Sequence, residues 1–208
     1  MNKSISILCS ALLLTGVSTA FASSTDLTVT GIITPDACTP TLSGGGIVDF
    51  GKIAAKNLNL TTPTRLEDKT VQLTVSCDAP TRFAVIPLDN REGSAIGSGT
   101  FGLGLINGTQ KLGRYYLQFV NHVADVPSTI LTTLDDGVTW TRLWDDDPAV
   151  PKRKVALGSA GGSGWAPHHV QDTVMDIMLN TAIARADGLT LTDEVQIDGS
   201  ATLQIDYL

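Results

Sequence analysis

Three histidines, His122, His168 and His169, are the side chains whose ordinary pKa would let them pass a proton near neutral pH. A serine nucleophile would need one of them as base, yet no serine of the chain lies in a G-x-S-x-G turn. Two carboxylates for glycoside hydrolysis could come from any acids that meet in space, and nothing in their order singles out a pair. His168-His169, with Asp145, Asp146, Asp147 and Asp172 nearby, offers ligand types suited to a metal. Neighbouring residues on an extended chain face opposite sides, however, so the two imidazoles diverge, and the acidic spacing matches no EF-hand loop. The expectation is a solvated loop without metal or cofactor, in a protein that is not an enzyme. Trp144 and Trp165 could stack against sugar rings or be buried over a sheet edge, the commoner fate of tryptophan.

The remaining chemistry is that of cysteine. Cys9, Cys38 and Cys77 make an odd count in a chain of 208 residues, which on its face leaves a free thiol. Met1 to Ala22 removes that difficulty. Lys3 precedes an apolar stretch from Ile5 through Val17, and Ala20-Phe21-Ala22 closes it with small residues, the layout of a secretory signal cut between Ala22 and Ser23. A retained anchor is the other reading, but Gly16, Ser18 and Thr19 shorten the apolar run below a bilayer span. Cys9 then leaves with the signal. Cys38 and Cys77 remain in an exported, oxidising setting, where a disulfide is the default. Acidic residues outnumber basic ones 21 to 14, and the longest basic run is Lys152-Arg153-Lys154. Nucleic acid and anionic membrane surfaces are thereby disfavoured as partners, because both demand clustered positive charge.

Hydrophobic residues make up 42% of the chain, enough for one core, and their spacing is that of strands. Alternation predicts strands over Leu27–Ile33, Ile47–Phe50, Thr70–Cys77, Phe83–Leu88, Gly102–Ile106, Tyr115–Val120, Thr129–Leu134, Val138–Leu143, Thr173–Ile183 and Ala201–Tyr207. Asn107-Gly108 and Asp136-Gly137 are hairpin dipeptides, since Asn, Asp and Gly tolerate positive φ. No segment reads as a capped amphipathic helix. Asp89–Thr100 and Asp145–Gln171 read as long loops within one all-β domain, an antiparallel β-sandwich. Thr133 to Trp140 fits T-x-D-x-G-x-T-W and resembles the Asp box of β-propellers, a turn device; one copy implies a plain hairpin with Trp140 packed behind it.

Ser23 to Cys38 alternates again, with Leu27, Val29, Gly31 and Ile33 on one face. By alternation alone this could be the domain's own first strand. A signal, an alternating strand, Gly31 seven residues before Cys38, Val48-Asp49-Phe50-Gly51, a second cysteine on a strand and a C-terminal alternating strand ending in Tyr207-Leu208 together resemble the chaperone–usher pilin family. The likeness is also close to fimbrial-like proteins of Gram-negative bacteria that carry a domain of unknown function. It implies an immunoglobulin-like, pilin-type sandwich that is incomplete and completed by a donated strand. The divisions are then a signal over 1–22, a donor-strand extension over 23–37 and a pilin-like domain over 38–208.

In that likeness Leu27, Val29 and Ile33 fill pockets of a neighbour's groove, and Gly31 sits where the groove is shallow. Cys38 and Cys77 tie the first two strands. Ala201, Leu203, Ile205 and Tyr207 edge the groove that the chain itself offers. The implied partners are a periplasmic pilus chaperone, an outer-membrane usher and neighbouring subunits, with no nucleic acid and no direct membrane insertion. The implied route runs through the periplasm to a surface fimbrium that supports adhesion. Val195 stands where the family often has glycine, and the chain is longer than a minimal pilin. A self-complete secreted sandwich that binds carbohydrate is the alternative, and a secreted hydrolase a third reading.

Overall fold

Alternating apolar and polar residues rich in β-branched side chains build fourteen strands in the computed structural model, which describes residues 37–208. The signal boundary at Ala22 and Ser23 and the expected strand over Leu27–Ile33 lie outside the described residues. Two antiparallel sheets face each other. The first runs in the order β1 (Cys38–Leu42), β3 (Lys69–Thr81), β13 (Val170–Ile183), β8 (Gly113–Ala124) and β5 (Phe101–Gly102), with β2 (Thr64–Arg65) against the end of β13. The second runs β10 (Thr141–Arg142), β9 (Thr129–Thr132), β11 (Val155–Gly161), β4 (Phe83–Asp89) and β14 (Ala201–Tyr207), with β12 (Gly164–Pro167) hairpinned onto β11. A small ribbon of β6 (Leu105–Ile106) and β7 (Gln110–Lys111) turns at Asn107-Gly108, both in the left-handed region at φ 51° and 71°.

The period of two decides which side chains meet. Val71, Leu73, Val75 and Cys77 of β3 are buried while the residues between them are exposed or half-buried. Tyr115, Leu117 and Phe119 of β8 and Met175 and Ile177 of β13 continue that inner face. Phe83, Val85, Ile130, Val155 and Leu157 answer from the second sheet, and the two faces form one core. Each fully buried side chain of this size contributes about 1.5–3 kcal/mol relative to exposure. Phe101 stacks on Tyr115 at 5.1 Å between ring centres. Burial pushes the Tyr115 phenol above its ordinary pKa, with Asp89 adding to the shift. Cys38 and Cys77 are register partners of β1 and β3 and are joined by a disulfide.

Several sequence expectations need correction. Ile47–Phe50 is extended, but it pairs with no strand among the described residues, so its alternation produces inward and outward faces without a ladder. Gly102–Ile106 is broken in two, with Gly104 at φ 89° interrupting the extended run between β5 and β6. The strands expected over Thr129–Leu134 and Val138–Leu143 shorten to β9 and β10, since Thr133 to Trp140 is consumed by its own turn. Asp145–Gln171 is not one loop: it carries β11 and β12, whose Val-Ala-Leu-Gly-Ser-Ala-Gly run is too rich in small residues to alternate visibly. β1 was hidden for a similar reason, with Pro40 among threonines leaving Leu42 as its one large apolar side chain.

Candidate functional site

β1 and β14 end their respective sheets, each hydrogen-bonded along one side only among the described residues. They lie on the same side of the sandwich. The backbone N–H of Cys38 donates to the Tyr207 hydroxyl at 2.9 Å, which ties the start of β1 to the end of β14. Away from that tie the sheets part, and a groove of about 240 Å³ opens between them. Its floor is the inner face of the first sheet, with Val71, Leu117, Ile177 and Leu179. One wall carries Leu42, Gly46, Val48 and Phe50; the other carries Ile197, Gly199, Ala201 and Leu203.

The walls follow from local sequence. Gly44, Gly45 and Gly46, all at positive φ, swing the chain off the end of β1 so that Ile47 to Phe50 runs on beside the groove instead of along β3. Val48 and Phe50 then face inward, while Ile47 is 80% exposed. On the opposite wall, Val195, Ile197, Leu203 and Ile205 are partly buried and packed against the core. Gly199 lies close under Leu103 and Tyr115, where an added Cβ would come within 3.0 Å and 3.2 Å of their side chains. Lys52 and Glu194 form a fully exposed ion pair at 3.3 Å that links the two flanking segments and adds little energy. The groove is therefore apolar at its base, with two extended flanks whose outward backbone groups have no ladder partner among the described residues. Sheet edges of this kind are the surfaces on which added strands can pair.

The predicted residues are distributed around this groove unevenly. Ala201 and Leu203 line it, Ile205 turns toward the core, and Tyr207 stands at its closed end. Cys38 is held at that same end. Leu27, Val29, Gly31 and Ile33 lie outside the described residues. Val48, Phe50 and Gly199 were not singled out as groove residues; the Gly44-Gly45-Gly46 run and the Val-Asp-Phe-Gly motif are the signals that could have found them.

The other constellations resolve into structure. Asp135 accepts hydrogen bonds from the Thr139 backbone N–H at 2.7 Å and the Thr139 hydroxyl at 2.6 Å, and Thr133 accepts from the Gly137 N–H. Those bonds hold the Asp135 carboxyl down at a pKa of about 2, with the Thr139 contacts as the largest cause. Trp140 donates its indole N–H to the Gly137 carbonyl. His168 Nε2 lies 2.9 Å from the Ser128 hydroxyl, but that hydroxyl donates to the Val126 carbonyl. The imidazole consequently acts as donor there and does not activate the serine. His168 is half-buried and His169 exposed. Among the described residues no three or more His, Cys, Asp or Glu side chains converge.

Comparison with known proteins gives similarity without an activity. A family described as "Protein of unknown function (DUF1120)" matches residues 27–102, a stretch that runs from Leu27 through β1, β3 and β4 into β5. Protein GltF of Escherichia coli (strain K12) is 28% identical over 252 aligned positions that take in all of this chain and 98% of GltF. Uncharacterized protein YhcF of the same strain is 22% identical over 205 positions, 83% of this chain and 85% of that protein.

Proposed function

We propose that this chain is a structural subunit of a chaperone–usher fimbria that polymerises by donor-strand exchange. The observation that carries the reading is the apolar groove between the Ala201–Leu203 half of β14 and the Gly46–Phe50 segment, at the ends of both sheets. A strand laid there would gain main-chain hydrogen bonds from flanking edges and bury alternate side chains against Val71, Leu117 and Ile177. Leu27, Val29 and Ile33 have the required period of two. An oxidising route is supported by the Cys38–Cys77 disulfide. A periplasmic chaperone would cover the groove before assembly, an outer-membrane usher would exchange it for the next subunit's extension, and the product would be a surface fibre supporting adhesion.

The test is complementation. A synthetic peptide of residues 25–34 should bind a chain that begins at Thr34 and raise its melting temperature. The same peptide with Gly31→Leu should not. No shift with the native peptide would remove the donor-strand reading.

A further inference from the structure

All three tryptophans of the chain lie on one end of the second sheet. Trp140 and Trp165 face each other across an antiparallel bridge, so their side chains share a face of the sheet. Trp140, Arg142 and Trp144 follow at every second residue through β10, whose intervening Leu143 is buried on the opposite, inner side. The Arg142 guanidinium lies over the Trp144 ring at 3.8 Å, which confirms that these two share the outer face. Trp144 is 54% exposed and Trp165 half-buried. Trp140 is half-buried too, so the openly exposed aromatic surface of the row is that of Trp144, with the remaining accessible parts of Trp140 and Trp165 beside it.

We propose that this row, Trp165, Trp140, Arg142 and Trp144, is a binding platform for a neutral oligosaccharide. The row spans only the neighbouring β10 and β12 segments and is interrupted by Arg142, with the polar Asp135–Thr139 turn beside it and Asp145 to Asp147 following it. A protein interface calls for a broad patch, about 800 Å² a side, with charge depleted at its centre. A sugar chain asks instead for separate aromatic planes against which its C–H faces can lie, with donors and acceptors between them for hydroxyls. Arg142 supplies donors. The indole N–H groups of Trp144 and Trp165 have no acceptor among the described residues, whereas that of Trp140 is engaged by Gly137. Trp140 and Trp144 are separated by about 13 Å of extended chain, a span suited to several sugar rings and not to one. The acidic flank and the net charge of -7 disfavour polyanionic glycans.

The platform is also held still. Arg142 braces Trp144 by the cation–π contact, and the hydrogen-bonded turn before Trp140 fixes the start of β10. Little side-chain freedom is left to lose on binding. This site does not touch the groove and stands or falls independently of it.

Titration calorimetry of the mature chain, residues 23–208, with cellohexaose and with maltohexaose tests the proposal. Saturable binding of at least one hexasaccharide at millimolar concentration or below is expected. Trp144→Ala and Trp165→Ala should each weaken it about tenfold, with circular dichroism unchanged, while Trp144→Phe should retain most of it. Absence of saturable binding to both probes, or binding that Trp144→Ala leaves unaltered, overturns the proposal. So does a shift of Trp144→Ala toward smaller species on gel filtration without any sugar effect, which would assign the row to protein contact.

Discussion

Cys38 and Cys77 lie 39 residues apart in sequence and oppose each other in register, so their bond restrains mainly the unfolded chain. In the chain-entropy account such a loop is worth about 4 kcal/mol. Replacing both by serine should lower the melting temperature on the order of 10 °C for a domain of this size. An unchanged transition in calorimetry would contradict the assignment. Asp135 makes a second prediction at this scale. Hydrogen bonds from Thr139 and Thr133 hold its carboxyl at about 2, below its ordinary 3.8. A depressed carboxyl stabilises the turn above the ordinary value and loses that contribution as pH falls through the folded one. The Thr139 amide resonance should therefore titrate with a midpoint near 2, and Asp135→Asn should abolish the titration. A midpoint near 3.8 would mean that the bonds do not form.

At the scale of elements, Gly158 decides how closely β12 can approach the sheet. A Cβ at this position would run into the Ala166 carbonyl and the Leu131 side chain. Gly158→Ala should cost about 1–3 kcal/mol in urea unfolding, the usual penalty of overpacking, and should loosen the hairpin that carries Trp165. Unfolding at the wild-type midpoint would show that the hairpin has room to shift. The same residue explains why this part of the fold was illegible in the sequence. Strands announced themselves where large apolar residues alternate, as in Ala201–Tyr207, whose limits match β14. β11 does not, because close packing of β9, β4 and β12 around it demands glycine and alanine, residues that otherwise signal loops. Ile47–Phe50 misled in the opposite direction: its inward Val48 and Phe50 alternate as in a strand, but backbone pairing depends on a neighbour that local sequence does not contain. For the candidate site, the C-terminal wall was legible from alternation. The glycine-led wall was not, since three residues at positive φ read as a turn and say nothing about where the chain goes next.

For the whole molecule, the Cys38 N–H donates to the Tyr207 hydroxyl and closes one end of the groove, at the last residues of β14. β14, with seven residues, is about 23 Å long. A strand supplied by a second copy can be laid along it in the antiparallel sense, the more favourable pairing. If this reasoning and the proposed function hold, the mature protein should form a concentration-dependent ladder of species on gel filtration, and excess peptide of residues 25–34 should cap it at short lengths. Gly31→Leu should remain monomeric at concentrations where the parent polymerises, because in the pilin likeness this position meets a shallow part of the groove with no depth for a leucine side chain. Its circular dichroism should match that of the parent. Polymerisation of Gly31→Leu to the same extent, or a parent chain that stays monomeric and insensitive to the peptide, would show that the groove is not a strand acceptor between copies.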